Sequence, residues 1–255
     1  MHHSPTMTNA AFSVSKSEKR NTFGLGMRTG KNKILEVCCA DLISIQEAVE
    51  GGAQRVELCE DLEIGGITPS TEMIDYAIKM GIRTHILIRP RGGNFVYSPE
   101  ETECMVRAIR MAQAKGVAGV VIGALTSEGD IDIETCRLLI NEAKGMSITF
   151  HRAFDECKEP FQALEQIISL GCHRLLTSGH APCVSEGLEL LKGLVSQAGE
   201  RIIILPGCGV TPENAPVIME ATGTREIHGS LRRNGHTDKK MVRQTLLAIN
   251  AESLA

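Results

Sequence analysis

Two short phrases near the start of the chain combine an acid with a thiol: Glu36-Val37-Cys38 and, 21 residues later, Glu57-Leu58-Cys59. Carboxylates can transfer protons, and thiolates are soft ligands that select Cu(I). Side chains alternate along a strand, so the acid and the thiol of one phrase are expected to share one face. Two carboxylates and two thiols in one small region would form a catalytic centre, a metal site or a buried polar network.

The segment between the two phrases has the pattern of a helix. Residues 41–50 form an amphipathic stretch that begins at Asp41 and is followed by Gly51-Gly52, which is typical of a capped helix. A strand, a helix and a second strand at this spacing make one βαβ unit, whose strands are parallel neighbours. The spacing therefore predicts that the two phrases lie side by side.

The same alternation continues along the chain. Strand-like apolar runs occupy residues 34–38, 55–59, 84–89, 119–123, 147–151, 174–177, 201–205 and 226–228. Helical patterns occupy residues 41–50, 70–80, 99–115, 132–143, 160–170, 184–198, 211–221 and 238–250. Eight strands with eight helices predict the α/β class and a (β/α)8 TIM barrel, a single domain over residues 34–255 with a C-terminal helix. The alternative, a doubly wound sheet, would carry a glycine-rich turn after the first strand, where this chain has Cys38-Cys39-Ala40-Asp41.

The first part of the chain differs from the rest. Residues 1–33 are rich in Ser, Thr, Asn, Gly and Lys and show no helical or strand period, which predicts a flexible N-terminal extension. They lack the apolar core of a signal peptide, and no later run is long enough to span a membrane. We therefore expect a cytoplasmic protein whose nine cysteines are mostly reduced thiols. No Cys-x-x-Cys pair occurs, which argues against a structural zinc site.

Charge and composition narrow the class of partner. The formal net charge is −4 with both signs interspersed, and aromatic residues make up 3% of the chain. Nucleic-acid binding would need a basic surface and aromatic side chains for stacking, so this composition argues against it. The sequence does not fix the assembly state and allows a homo-oligomer.

Polar side chains are predicted inside the barrel and at its mouth, where the active site of such a barrel lies. Alternation along the strands predicts that the following side chains face inward or toward the mouth: Glu36, Cys38, Glu57, Cys59, Arg89, Arg91, Thr149, His151, Glu226 and His228. Barrel interiors are normally filled by branched apolar side chains, so this polar set needs partners. One interpretation is a salt-bridge network that only fixes the strands.

The other interpretation is a charged pocket for a small polar ligand. Arg89 or Arg91 would clamp an anion, and a carboxylate or an imidazole would transfer protons. In this hypothesis Asp155 orients His151. The predicted catalytic residues are Glu36, Glu57, Arg89, His151 and Asp155.

Glycine-containing turns after the last two strands add a second feature. The chain reads Leu205-Pro206-Gly207-Cys208-Gly209-Val210-Thr211-Pro212 after the seventh strand and His228-Gly229-Ser230 after the eighth. Backbone N–H groups exposed after these strands are the usual phosphate site of a barrel. Glycines here also serve simple turns, which is the alternative. The predicted anion-binding residues are Arg91, Thr177, Ser178, Gly207, Gly209, His228 and Ser230.

The cysteines allow two interpretations. Cys38 and Cys59, on adjacent predicted strands, could together bind Cu(I). The alternative is that both are buried and behave as small hydrophobic side chains, as free cysteines commonly do. Cys39 follows Cys38 directly and is expected to face the opposite way or to lie in the loop.

Several motifs together resemble those of the CutC family. They are Glu-Val-Cys at 36–38, Arg-Val-Glu-Leu-Cys at 55–59, Gly-Gly-Ile-Thr-Pro-Ser at 65–70, Ile-Arg-Pro-Arg-Gly-Gly at 88–93, Phe-Val-Tyr-Ser at 95–98, Gly-Ala-Leu-Thr at 123–126, Thr-Phe-His-Arg-Ala-Phe-Asp at 149–155 and Leu-Thr-Ser-Gly at 176–179. The resemblance covers residues 34–232. It implies a cytoplasmic TIM barrel associated with copper homeostasis, in which Cys38 and Cys59 match the proposed Cu(I) ligands. The chain departs from common family forms at Cys39, Cys208 and Gly229.

Two functions therefore stay open at the level of sequence. The first is a copper-handling protein that binds copper ion through Cys38 and Cys59. The second is a barrel enzyme that acts on a small anionic or phosphorylated molecule by acid/base chemistry. A barrel that binds a small molecule without turnover is a third option.

Overall fold

Eight short parallel strands form the centre of the protein in the computed structural model, which describes residues 1–2 and 33–251. The strands are β1 Ile34–Cys39, β2 Arg55–Leu58, β3 Thr84–Leu87, β4 Gly119–Ile122, β5 Ser147–Phe150, β6 Arg174–Thr177, β7 Ile203–Pro206 and β8 Glu226–Gly229. Hydrogen-bonded ladders join them in the order β7-β6-β5-β4-β3-β2-β1-β8, and β7 and β8 lie against each other. The predicted (β/α)8 TIM barrel is confirmed.

A helix follows each strand. The helices are α1 Leu42–Gly51, α2 Thr71–Lys79, α3 Pro99–Lys115, α4 Ile133–Glu142, α5 Pro160–Ser169, α6 Leu188–Ala198, α7 Ala215–Thr222 and α8 Lys239–Asn250. A small hairpin of β9 Arg232–Arg233 and β10 His236–Thr237 connects β8 to the C-terminal helix α8. The predicted extension, residues 1–33, lies almost wholly outside the described residues. In the described part of the chain, no helix combines the length and the apolarity that crossing a membrane requires.

Side-chain caps explain where several helices begin. The Asp41 carboxylate accepts a hydrogen bond from the Ser44 backbone N–H at 2.7 Å, which satisfies one of the unpaired donors of α1. Ser98 and Glu101 form a reciprocal capping box at the start of α3, directly before Pro99. These are local signals, and both helix starts follow the sequence prediction within one residue.

Helices α6 and α7 begin four residues later than predicted. Residues 184–187 form a turn in which the Val184 backbone N–H donates to the Cys208 carbonyl, so this segment is tied to the neighbouring loop. Before α7, Thr211 and Asn214 exchange side-chain and backbone hydrogen bonds and close a turn of their own. Such local side-chain bonds compete with helical ones, which is why the helices start after them.

The register between the first two strands is offset by two residues. Glu36 pairs with Arg55, and Cys38 pairs with Glu57, so the two acid–thiol phrases are neighbours but are not level. Strands of a closed barrel are staggered because the barrel has a fixed shear. The expectation that the phrases lie side by side on parallel strands is confirmed, with an offset of one inward-facing layer, and Cys59 lies one layer closer to the mouth than Cys38.

The apolar core lies mainly between the sheet and the helices. The outward-facing residues of the strands, such as Val37, Cys39, Ile86 and Phe150, are fully buried in this layer. Inside the barrel, the described apolar cluster is small and consists of Cys38, Cys59, Leu87 and Val121, with Ala40 and Leu62 packed against it. Polar side chains occupy the rest of the interior, and they form the site described next.

Candidate functional site

A cavity of about 910 Å³ opens at the carboxyl ends of the strands. Among the predicted site residues, its lining contains Cys38, Glu57, Cys59, Arg89, His151, Asp155, Gly209, His228 and Ser230. The predicted residues outside this lining are Glu36, Arg91, Thr177, Ser178 and Gly207. The barrel therefore brings most of the predicted residues around one space, although their partners differ from several of the expected ones.

The two predicted thiols meet on the inner wall of the barrel. The Sγ atoms of Cys38 and Cys59 are 3.7 Å apart, and the side chains are 7% and 1% exposed. The hydrogen bond with Cys59, together with burial, raises the pKa of the Cys38 thiol well above its usual range. Cys38 is therefore a protonated thiol in the free protein at neutral pH.

An imidazole bridges the two predicted glutamates. The Nδ1 atom of His228 lies 2.8 Å from a carboxylate oxygen of Glu36, and its Nε2 atom lies 3.3 Å from Glu57. Burial opposes a charge on His228, but the two acids outweigh it and raise the pKa of this imidazole. Burial also raises the pKa of Glu57 to about 7. A carboxylate, an imidazole and a second carboxylate in a row can pass a proton between the interior and the cavity.

A buried ionic network near the starts of the strands contacts this row of Glu36, His228 and Glu57. Burial disfavours the charged form of Glu36, but Arg55, with His228, outweighs it, so the pKa of Glu36 lies well below its usual range. The Arg55 guanidinium bonds Glu36 through Nε and reaches Glu226 at 2.5 Å through a terminal nitrogen. Arg174 also donates to Glu226, at 2.7 Å. Two arginines thus balance two carboxylates inside the barrel, where isolated charges would be costly.

Arg55, His85 and Arg174 belong to this network, and the sequence prediction does not include them among the inward-facing residues. The signal was present, because Arg55 lies two residues before Glu57 and His85 lies two before Leu87 on their strands. These positions lie near the strand starts, away from the carboxyl ends where the active site of such a barrel is expected.

The fully buried His85 predicts a specific pH dependence of stability. Burial lowers the pKa of this imidazole to about 4, against about 6.5 when it is unfolded. A group whose pKa is depressed by folding contributes stability above the unfolded pKa, and that contribution is lost as the pH falls toward the folded value. The free energy of unfolding should therefore fall between pH 7 and pH 4 by about 3 kcal/mol less in the His85→Leu variant than in the wild type. Urea unfolding of both proteins at the two pH values measures this, and an identical pH dependence would contradict it.

The two predicted anion-clamping arginines lie in different surroundings. Arg89 is 5% exposed, lines the cavity and stacks on the Phe95 ring with its Cζ atom 4.7 Å from the ring centroid. Arg91 donates to Glu101 at 2.6 Å and to backbone carbonyls of its own loop. Arg91 thus holds the β3–α3 loop. Of these two arginines, only Arg89 lines the cavity.

His151 is a neutral hydrogen-bond donor with a defined tautomer. The Ala153 backbone N–H donates to its Nδ1 atom at 3.1 Å, which puts the ring proton on Nε2. Burial and the nearby charge of Arg89 lower the pKa of His151 to about 3. Gly123 permits this ring position, since a Cβ there would lie 2.5 Å from the ring atom Cε1. A proton shuttle at neutral pH needs a pKa near neutrality, so this imidazole suits donation better than proton transfer.

Asp155 binds the loop after β6 and makes no hydrogen bond to His151, which corrects the expected pairing. Its carboxylate accepts from the Thr177 hydroxyl, from the backbone N–H groups of Ser178 and His180 at 3.1–3.2 Å, and from Arg152 at 2.8 Å. Thr177 and Ser178 are therefore partners of Asp155, which is the one of the three that lines the cavity.

The glycine turns after β7 and β8 lie at the same rim. Gly209 and Ser230 line the cavity. Gly207 is a packing position, because a Cβ there would lie 2.6 Å from the Leu176 side chain and 3.2 Å from the His228 ring. Cys208 and Gly209 both have positive φ values, 81° and 79°, so the turn after β7 is tight.

A set of possible metal ligands includes only one of the two predicted cysteines. Donor atoms of Cys38, Glu57 and His228 all lie within 4.8 Å of one another, and all three residues are buried. Cys59 adds a second sulfur next to Cys38. The donor set at the barrel mouth is therefore two thiols, a carboxylate and an imidazole.

Comparison with known proteins gives consistent matches. The family model described as the CutC family matches residues 33–233. A family protein CutC of Bacteroides thetaiotaomicron is 48% identical over 207 residues, which are 80% of this chain and 83% of that protein. A family protein CutC of Pasteurella multocida is 45% identical over 195 residues, 76% of this chain and 80% of that protein. The crystal structure of the "Putative Copper Homeostasis Protein CutC" from Streptococcus agalactiae has a TM-score of 0.74 and 35% identity, covering 78% of this chain and 98% of that one.

Proposed function

This chain belongs to the CutC family, and from that membership we propose that it handles copper by binding Cu(I) through Cys38 and Cys59. The observation that carries the proposal is the 3.7 Å separation of the two buried Sγ atoms. In tetrahedral zinc sites, two sulfurs bound to one ion at about 2.3 Å lie about 3.8 Å apart. The thiols of this protein therefore have a spacing that suits a shared soft metal ion.

The surrounding donors fit a thiol-based site. Thiolates select Cu(I), and an imidazole is also an accepted copper ligand. His228 and Glu57 lie beside Cys38 and would complete or neutralise the site. The thiols must lose protons when a metal binds, because the thiolate is the ligand.

The nine cysteines form no disulfide in the described residues, which fits the expected compartment. All nine cysteines lie in the described part of the chain and carry free thiols. Free thiols are maintained in a reducing environment, and Cu(I) is the copper state that such an environment favours. We accordingly propose a cytoplasmic location.

Cu(I) titration tests the copper proposal. Under anaerobic conditions and in competition with a coloured Cu(I) chelator, the wild type should bind one copper ion that the Cys38→Ser, Cys59→Ser double variant binds at least about 100-fold more weakly. The matched control is a Cys104→Ser, Cys136→Ser double variant, which removes one exposed and one buried thiol elsewhere. If the wild type and the Cys38→Ser, Cys59→Ser variant had equal affinity for Cu(I), the proposed copper site would be contradicted.

The acid/base enzyme is the second candidate, because the same cavity contains polar groups that the thiol site does not explain. Arg89 is a buried cation with no carboxylate partner among the described residues, and His151 has a fixed ring proton on Nε2. Incubation in D₂O with small carbonyl acids and sugar phosphates tests for turnover, with proton exchange or product formation followed by NMR. If no compound that binds undergoes proton exchange or forms a product, the hypothesis of an acid/base enzyme is contradicted.

A further inference from the structure

Arg89 is a buried cation whose charge no acidic side chain balances. In residues 33–251, no carboxylate lies within 4.0 Å of its guanidinium, whereas the buried Arg55 and Arg174 both pair with glutamates. Arg89 donates instead to the backbone carbonyls of Ile64, Gly66 and Gly93. Its Nε atom is buried and has no hydrogen-bond partner in that same part of the chain. A buried charge is costly without an opposite charge, so this position suits an anion from outside the protein.

His151 provides a second unsatisfied donor in the same cavity. Its Nε2 atom carries the ring proton, because Nδ1 accepts from the Ala153 backbone N–H. This Nε2 atom is also buried, and no acceptor for it exists among residues 33–251. Unsatisfied buried donors are rare in folded proteins and call for a specific reason.

The two donors share one apolar neighbour. The Phe95 ring lies with its centroid 4.7 Å from Arg89 Cζ and 5.0 Å from the centroid of the His151 ring. All three side chains line the cavity. They form one wall that offers a positive charge, a neutral N–H donor and an apolar face, which is the composition of a site for a small organic ligand.

The other charges of the cavity are already balanced. Arg152 pairs with Asp155 at 2.8 Å, and His228 lies between Glu36 and Glu57. Glu156 lies at the exposed rim. Among the described lining residues, Arg89 therefore stands apart as an arginine with no carboxylate partner.

We propose that this cavity binds a small organic anion whose carboxylate or phosphate group accepts hydrogen bonds from Arg89 Nε–H and His151 Nε2–H beside the Phe95 ring. This assignment supplies the ligand class of the second candidate function and does not depend on the thiols. In this site His151 is a neutral hydrogen-bond donor. Such a donor can stabilise negative charge that a ligand already carries or that develops during a reaction. The apolar wall reduces screening by water and strengthens both hydrogen bonds.

Binding of two simple probes tests the site. Inorganic phosphate and pyruvate are titrated against protein labelled with ¹⁵N-histidine, at ionic strength matched with chloride. Either probe should shift the His151 Nε2 resonance and saturate at millimolar concentration. Binding of phosphate alone or of pyruvate alone identifies the anionic group. If neither probe binds, the proposal is overturned.

Matched variants connect the binding to the two donors. His151→Phe keeps a ring and removes the donor, and Arg89→Lys keeps the charge and removes Nε. Because His151→Phe lacks the His151 resonance, binding to every variant is measured by ligand-observed NMR of the probe. Each variant should weaken probe binding by about 10- to 100-fold, the expected effect of one charge-assisted hydrogen bond. Arg110→Lys, at an exposed arginine that bonds Glu142 and does not line the cavity, should leave binding unchanged. If Arg89→Lys does not fold, His151→Phe decides alone, and unchanged binding in that variant overturns the proposal.

Three further results distinguish the anion site from the copper site and from the enzyme. The Cys38→Ser, Cys59→Ser variant should bind the probes as the wild type does, so failure of the copper site leaves the anion site intact. Anion binding without proton exchange in D₂O supports the site while removing the enzyme. Turnover that is insensitive to His151→Phe would support an enzyme and overturn this assignment.

Discussion

Replacing Arg55→Met is expected to lower the free energy of unfolding by about 3–5 kcal/mol, the usual effect of removing one partner of a buried ion pair. Arg55 is 1% exposed and bonds both Glu36 and Glu226. Its loss leaves Glu36 with only imidazole partners and leaves Glu226 with Arg174 alone. Glu36 would then be a buried carboxylate with no arginine partner. Urea unfolding at neutral pH measures the change.

The matched control removes an arginine from an exposed pair. Arg110 bonds Glu142 with similar geometry, but its side chain is 62% exposed. Water screens such a pair, so Arg110→Met should change stability little. If Arg55→Met and Arg110→Met had similar effects, the interior network would not hold the barrel together in the way inferred above. A loss confined to Arg55→Met would show that the charged interior is part of the core.

Replacing Asp155→Ala is expected to lower the free energy of unfolding by about 3 kcal/mol. Its carboxylate, which is 8% exposed, accepts hydrogen bonds from Thr177, Ser178, His180 and Arg152. Removing it leaves buried donors without an acceptor and releases the loop after β6. Asp155→Asn keeps one acceptor oxygen and should have a smaller effect. Chemical unfolding of the three proteins measures this order.

Asp75→Ala is the control for Asp155. Asp75 pairs with Lys115 at the surface and is 62% exposed, so its removal should have little effect on stability. Equal stability of Asp155→Ala and the wild type would show that the loop after β6 is held by its own packing. The expected loss would instead identify Asp155 as a residue that positions the cavity wall, in place of the predicted role of orienting His151.

The glutamates of the two acid–thiol phrases lie in different surroundings inside the barrel. Glu36 lies in the deeper layer and is bound by Arg55 and His228. Glu57 lies beside Cys38, lines the cavity and has a raised pKa of about 7. The two glutamates look equivalent in the sequence, yet one is fixed in its charged form and the other is close to its titration midpoint at neutral pH.

Local patterns determined the architecture of this protein. The alternation of apolar strand runs with amphipathic helices predicts the barrel, and capping residues such as Asp41 and Ser98 set helix starts within one residue. The period of two along each strand also separates Cys38, which faces inward, from Cys39, which lies in the outer core. These features depend on near neighbours along the chain, so one sequence contains enough information to predict them.

Only the tertiary structure decided which inward-facing residues meet. The shear of the barrel moves Glu57 beside Cys38 and brings Arg55 to Glu36, a shift that strand periodicity does not contain. Barrel closure brings Glu226 and His228, from the last strand, to groups on the first two strands. The difference between Arg89 and Arg91, and the partners of Asp155, likewise depend on loops that come together in space. These contacts join residues distant in sequence, and their energies depend on burial and on the charges that the closed barrel brings together.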